Sequence, residues 1–156
     1  MNASKQVAKH FREVFFGGNW TTVNLKDTLA DVTWQQALTQ VYTLNTIATL
    51  TCHMTYYVSA VSKVLQGEPL NASDKLSFNH PPIESEDDWQ QLLKNIWHEA
   101  EKFSLLIENL PEDKLWEDFD NGNYGIYYRN LNGIIEHTHY HLGQIVILKK
   151  ILVANA

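Results

Sequence analysis

The sequence predicts an all-α protein, a four-helix bundle with crossover connections. Four long segments carry apolar residues at helical spacing, and three of them end at a glycine or a proline. The composition, 44% hydrophobic and 19% charged, is typical of a globular chain. A chain of 156 residues is long enough to bury a core without a disulfide or a structural metal. We therefore treat residues 1–156 as one helical domain.

The first and second long helices have clear end signals. The first is predicted over residues 4–16, where apolar residues form one stripe, and it stops at Gly17 and Gly18. A loop and a short helix near residues 25–30 follow. The second long helix is predicted over residues 33–66. It begins where Thr33 and Gln36 have the spacing of a capping box, and Gly67 with Pro69 ends it.

The second half of the chain repeats this organisation with longer connections. Residues 67–84 form a connection that is long for neighbouring antiparallel helices, which a crossover between the ends of a bundle explains. Ser85 is placed to cap a third helix that ends near residue 110. Residues 112–125 contain one short turn, and the last helix is predicted over residues 127–152. No strand pair is predicted.

The charge distribution excludes several classes of protein. Twelve basic and eighteen acidic residues leave a net charge of −6, and the acids are spread along the chain, which argues against nucleic-acid binding. Residues 32–62 contain no charged residue, but Gln, Asn and Thr interrupt the segment, so it predicts a buried helix and not a membrane span. A single cysteine excludes an internal disulfide, and the N-terminal segment lacks an apolar signal core. We expect a cytoplasmic protein.

Two histidines in the last helix have the spacing of metal ligands. His137 and His141 lie about 40° apart on one helical face, whereas His139 points to the opposite side. An H-x-x-x-H pair places two imidazoles on one ion in several kinds of metal site. Neighbouring apolar residues, Ile134 and Ile145 among them, turn the pair towards the interior. Two buried imidazoles without partners would carry a desolvation cost that a shared metal removes.

His53 is the natural third member of this site. It lies in the middle of the charge-free segment, on a stripe of polar and small residues that suggests an internal cavity: Tyr42, Asn45, Thr49, Tyr56 and Ala60. By itself, His53 is better explained as a core histidine that is hydrogen-bonded to a tyrosine or a carbonyl; the pair in the last helix is what favours a ligand. Three remaining histidines carry less information: His98 is expected at the surface and His80 in a loop, and His10 is left unassigned. Cys52 points away from His53 and is expected to be a small core residue.

The string GIIEHTHYHLGQI over residues 133–145 closely resembles the last helix of the DinB/YfiT-like superfamily, in which an H-x-x-x-H-x-G-Q signature follows an apolar turn. The early FFGGNWT loop and the mid-helix histidine extend the resemblance over nearly the whole chain. The resemblance implies a four-helix bundle, often dimeric, that binds zinc or nickel through three histidines, here His53, His137 and His141. It also implies thiol S-transfer with bacillithiol-like cofactors, or, in a related branch, isomerisation of maleylpyruvate with mycothiol.

Three neutral imidazoles leave an open coordination position, as in catalytic metal sites. Such a metal can polarise a carbonyl, activate water or deprotonate a thiol. Together with the resemblance, this predicts a metal-dependent thiol S-transferase or hydrolase that acts on a small molecule. A transferase of this kind would use a low-molecular-weight thiol as its second cofactor. Tyr56, Tyr57 and Gln144 are candidates to orient the ligands or the substrate, and ordinary packing is the alternative for each. No residue is assigned as catalytic.

Other functions stay open at this point. No Asp or Glu is evident as a general base on the site stripes, so a non-catalytic metal- or ligand-binding bundle, such as a sensor or stress protein, is the main alternative. A haem site fits three clustered histidines poorly. Phe16, Trp20 and Trp116 lie outside the helical stripes, and their need for cover predicts a homodimer.

Overall fold

A computed structural model describes residues 2–154 of the chain, and the fold is all-helical, as predicted. The elements in chain order are α1 (Ala3–Phe16), α2 (Leu25–Leu29), α3 (Trp34–Leu38), α4 (Ile47–Leu65), α5 (Asp74–Ser77), α6 (Glu86–Glu108), a 3-10 helix (Glu112–Trp116) and α7 (Tyr127–Ala154). Residues 2–154 contain no β-strand; an isolated bridge pairs Asp118 with Ile126. Within this range, no helix combines the length and the apolar character needed to cross a bilayer.

Helix α1 forms where the sequence predicts it, for identifiable local reasons. The side chain of Asn2 accepts a hydrogen bond from the backbone N–H of Lys5 and so caps the N-terminus. The chain leaves the helix at Gly17, whose φ of +111° disfavours a residue with a side chain. The buried stripe, which includes Phe11 and Phe15, packs against α6 and α7.

The second long helix is the principal correction to the sequence-based prediction. The capping box at Thr33 and Gln36 is present, but α3 ends at Leu38 and a new helix, α4, begins at Ile47. The intervening residues 39–46 include three threonines, one valine and one asparagine. These residue types lose side-chain freedom in a helix or bond to nearby backbone groups. Thr46 does so, because its Oγ1 accepts the N–H of Thr49 at 3.1 Å and caps α4.

This break changes the environment predicted for His53. Tyr42 has a φ of +51° and lies in a turn, and Asn45 also precedes α4, so neither shares a helical face with His53. The polar stripe that suggested an internal cavity is therefore shorter than predicted. His53 remains near the middle of α4, whose packing against both α6 and α7 places it in the interior.

The remaining long helices follow the predicted bounds closely. Ser85 Oγ accepts the N–H of Asp88 at 3.1 Å and caps α6. Trp89 in the first turn of α6 is fully buried and donates its indole N–H to the Val32 carbonyl. Helix α7 covers the predicted segment and is the longest element. It packs against α1 and α4 along its length, and thereby brings its histidines to α4.

The connection between α4 and α6 contains an element that was not predicted. The sequence predicts a long connection over residues 67–84, and the structure adds to it the one-turn helix α5 over Asp74–Ser77. Helix α5 packs on α4. It thereby places part of the connection directly against the face of α4 that carries His53.

Candidate metal centre

The structure brings the three predicted ligands together. Nε2 of His137 lies 3.1 Å from Nε2 of His53 and 3.0 Å from Nε2 of His141. The ligand atoms of the three residues all lie within 4.8 Å of one another. Among residues 2–154, this is the group of His, Cys, Asp and Glu side chains that can hold a metal ion.

Two helices position these side chains. His137 and His141 stand one turn apart on α7, and His53 faces them from α4. His53 and His141 are buried, with 5% and 8% of their surface exposed, whereas His137 is half-buried and lines a cleft. The centre is thus closed on the core side and accessible from the cleft.

Hydrogen bonds fix which ring nitrogen of His53 carries the proton. Ser77 Oγ donates to the carbonyl oxygen of Asp74 at 2.6 Å, so it can only accept from His53 Nδ1, which lies 2.7 Å away. His53 is therefore protonated at Nδ1, and its Nε2 presents a lone pair to the centre.

Gln144 does the same for His141. Its amide oxygen Oε1 lies 2.7 Å from His141 Nδ1 and accepts the proton there. Nε2 of His141 consequently also presents a lone pair. Metal-bound histidines usually donate their other ring N–H to a partner of this kind, which orients the ring and fixes its tautomer.

These tautomers leave an electrostatic problem that a cation solves. His137 Nε2 contacts two lone pairs, but a neutral imidazole has at most one proton to offer there. At least one close contact between nitrogen lone pairs therefore remains. An ion at about 2.1 Å from each nitrogen would require N···N separations of about 3.0 to 3.4 Å, depending on its geometry. Two of the three N···N separations, at 3.0 and 3.1 Å, lie within that range.

Burial keeps the histidines in the neutral form that binds metals. The pKa of His137 is lowered from 6.5 to about 4, mainly by burial and further by the neighbouring His141 and His53. The pKa of His53 is also lowered, by burial and then by His141, although the carboxylate of Asp74 opposes the change. At neutral pH, protons therefore compete weakly with a metal for these two rings.

Aromatic rings enclose the centre. Phe78 stacks on His53 with 3.9 Å between ring centroids. Tyr57 presents its ring at right angles to both His53 and His137. Its hydroxyl donates to Asp74 Oδ1 at 2.8 Å, and burial, followed by this hydrogen bond, raises the pKa of Tyr57.

Tyr56, Tyr57 and Gln144, the three residues predicted to orient the ligands or the substrate, differ in what they contact. Gln144 bonds to a ligand, Tyr57 packs against two ligands, and Tyr56 contacts neither in this way. The Tyr56 hydroxyl instead accepts the backbone N–H of Ser73, and its ring packs edge-on against Tyr57. Tyr56 anchors the connection to α4.

Sequence reasoning missed three residues of the site, and all three lie at α5. Ser77 orients His53, Phe78 covers it, and Asp74 supplies a carboxylate close enough to influence two histidines. The adjacent Ser73 and Asp74 are typical of a helix N-terminus and could have indicated α5. Nothing in the local pattern indicates that α5 would pack on His53.

The other histidines and the cysteine are placed as follows. His139 lies on the far side of α7 from the centre and packs near His10 on α1, with 6.2 Å between ring centroids. His98 is exposed, and His80 contacts the carbonyl of Pro81 in the connection. Cys52 is buried, and burial raises the pKa of its thiol to about 11, which makes it a poor nucleophile.

A cleft of about 680 Å³ opens beside His53 and His137. Its volume is in the usual range for small-molecule sites. Besides the two histidines, its walls combine aromatic, amide and charged side chains from α4, α5, α7 and the segment before α7, including Tyr57, Asp74, Phe119, Asn123, Tyr124, Arg129 and Glu136. The three-histidine group therefore has an adjoining space with the size and polarity of a ligand site.

Comparison of the chain with protein-family models, curated proteins and solved structures gives no match.

Proposed function

We propose that this protein is a divalent-metal-dependent enzyme of the DinB/YfiT-like type, a thiol S-transferase or hydrolase that acts on a small molecule. One observation carries the proposal. Three imidazole nitrogens converge at the wall of a cleft, and Ser77 and Gln144 hold two of them with their lone pairs directed inward.

Zinc or nickel suits this donor set best. Neutral imidazole is a common ligand of both ions, and three such ligands leave at least one position for an exogenous molecule. When bound, the metal would lower the pKa of a coordinated water or thiol, or polarise a carbonyl. His53, His137 and His141 would hold the ion, and the aromatic rings of Tyr57 and Phe78 would limit access of water to it.

Asp74 is the residue we infer to accept a proton at this site. The sequence alone indicated no general base, but α5 brings this carboxylate to the cleft. Tyr57 donates to Oδ1 and holds the carboxylate in place, which leaves Oδ2 as a proton acceptor. A thiol or water molecule that enters the cleft would lose its proton to Oδ2.

The arrangement of the long helices supports the bundle topology that we propose. Helices α1 and α4 each pack on both α6 and α7. The connection from α4 to α6, with α5 in its course, is long enough for the crossover expected of this type of bundle.

A non-catalytic metal-binding bundle is the second candidate, and the exposure of Asp74 favours it. Solvent competes with a substrate for an exposed carboxylate, whereas the three histidines can hold a metal ion without any reaction. This protein would then serve as a sensor or a stress-related metal binder.

The two candidates separate in one series of measurements on protein purified without a histidine tag. Elemental analysis should find one zinc or nickel ion per chain. The loaded protein is then assayed for conjugation of cysteine and other low-molecular-weight thiols to chlorodinitrobenzene, and for ester and amide hydrolysis. The enzyme is supported if the protein binds metal and shows turnover that Asp74→Asn lowers. Bound metal without turnover supports the second candidate. Absence of metal overturns both.

A further inference from the structure

A continuous path runs along α7 from the three histidines to a positive charge. Arg129, Gly133 and His137 follow one another at four-residue intervals, so each lies about 40° around the helix from the one before it. All three line the cleft. The eight residues from Arg129 to His137 correspond to about 12 Å along the helix axis.

Gly133 leaves this path open. A Cβ atom built at Gly133 meets no other atom within 4 Å, so the position faces free space and has no close packing that requires a glycine. Since Gly133 forms part of the cleft wall between the other two residues, a larger side chain there would occupy the space between Arg129 and the histidines.

Arg129 is held in place but retains its hydrogen-bonding capacity. Its Nη1 donates to the carbonyl of Tyr124 at 2.8 Å, which uses one of five guanidinium N–H groups. Within residues 2–154, no carboxylate forms an ion pair with it, whereas the other arginine, Arg12, contacts Glu101 and Glu108. The side chain is exposed and lines the cleft, so an anion of a ligand can reach it.

The acidic residues of the cleft restrict which anions fit. Asp74, Asp120 and Glu136 also line it. Asp74 accepts a hydrogen bond from Tyr57, and Asp120 accepts the backbone N–H of Leu70. These three carboxylates would repel a ligand with several negative charges. A ligand with one anionic group could instead pair it with Arg129, the one Lys or Arg side chain that the described part of the chain places in the cleft wall.

We propose that Arg129 determines specificity by binding the single anionic group of an elongated small molecule whose reactive end lies at the three histidines. The proposal rests on the metal-dependent function proposed above. A carboxylate on such a ligand would pair with Arg129 through the planar, two-point geometry that guanidinium groups favour. The body of the ligand would pass over Gly133.

Binding of thiol probes to the cobalt-substituted protein tests this inference. Mercaptooctanoic acid carries a thiol and a carboxylate at a separation that matches the path along α7, mercaptooctanol lacks the charge, and mercaptopropionic acid is too short to reach Arg129. Titrations follow the thiolate-to-cobalt charge-transfer band. We expect mercaptooctanoic acid to bind about tenfold more tightly than mercaptooctanol, the ratio typical of one charge-assisted pair.

Arg129→Gln should remove this preference and leave the affinity for mercaptooctanol and mercaptopropionic acid unchanged. Arg12→Gln is the matched control and should keep the preference, since Arg12 lies outside the cleft. Gly133→Leu should weaken both long probes but not the short one, whereas Gly143→Leu, at another open position of α7, should weaken none.

The outcomes distinguish the two levels of the proposal. Equal binding of mercaptooctanoic acid and mercaptooctanol, or a preference that survives Arg129→Gln, overturns the role of Arg129 and leaves the metal site intact. Failure to bind cobalt, or absence of a charge-transfer band with every thiol, overturns the proposed function and the role of Arg129 with it.

Discussion

The side chains of His53 and Ser77 form a 2.7 Å hydrogen bond between Nδ1 and Oγ, although the two residues are 24 positions apart in the chain. This bond joins α4 to the short helix α5. Because Ser77 Oγ donates its own proton to the backbone carbonyl of Asp74, the bond determines the tautomer of His53 and so directs Nε2 to the candidate metal centre.

Replacement of Ser77 tests how much this orientation contributes. We expect Ser77→Ala to lower zinc affinity about 10–100-fold, the usual effect of removing a hydrogen-bond partner of a metal-binding histidine. Ser73→Ala is the control, because Ser73 lies at the start of the same helix and its side chain makes no capping hydrogen bond. Competition with a chromophoric chelator measures both affinities, and equal values for the two variants would contradict the prediction.

His141 and His139 lie on opposite sides of α7, which predicts opposite results when each is replaced. His141→Ala should lower metal affinity by more than the 10–100-fold of a supporting residue, since it removes a ligand. His139→Ala should leave metal binding unchanged, because that ring packs near His10. Metal analysis is combined with circular dichroism, which should show a helical protein for both variants. Loss of metal in His139→Ala with retention in His141→Ala would refute the assignment.

The lowered pKa of His137 predicts how the stability of the metal-free protein varies with pH. In the unfolded chain this histidine binds a proton as the pH falls through about 6.5, whereas in the folded protein its pKa is about 4. Its stabilising contribution is complete above pH 6.5 and is lost progressively as the pH falls towards 4. Allowing for the partial exposure of the ring, we expect a decrease of about 1 kcal/mol between about pH 7 and pH 5.

Urea denaturation of the metal-free protein at both pH values measures this decrease. His137→Asn should reduce the difference, since asparagine does not titrate. A difference as large in His137→Asn as in the original protein would show that other groups cause it.

The break between α3 and α4 makes Thr46 important for stability. Thr46→Ala removes the side chain that caps α4 and should destabilise the protein by about 1 kcal/mol, or about 2–4 °C in melting temperature. Thr43→Ala, at an exposed turn position in the same break, should change stability little. Thermal melts of both variants test this, and equal melting temperatures would contradict the capping role.

Two exposed tryptophans are the basis on which we still predict a homodimer. Trp20 is 99% exposed and Trp116 is 55% exposed, whereas Phe16 packs against Trp97 within the chain and needs less cover than expected. We expect a dimer by light scattering at micromolar concentration and a lower mass for Trp20→Ser. A monomeric mass for the unaltered protein would contradict the prediction.

Local sequence signals determined the helical class and most helix bounds. Buried apolar stripes at helical spacing form α1, α6 and α7, and the caps at Ser85 and Thr33 form as the residue types predict. The spacing of His137 and His141 likewise determined that both face the same side, because helix geometry alone sets that relation. Such features depend on residues within a few positions of one another.

Two features of the structure depend on contacts between residues far apart in the chain, and only the tertiary structure decided them. It split the predicted second helix, where side chains of residues 39–46 compete with helical hydrogen bonds and packing does not restore them. It also placed α5 on α4, and with it the Ser77, Asp74 and Phe78 side chains around His53. Periodicity shows which face of a helix is buried but not which segment covers it, so the partners of His53 emerge only when the chain is packed.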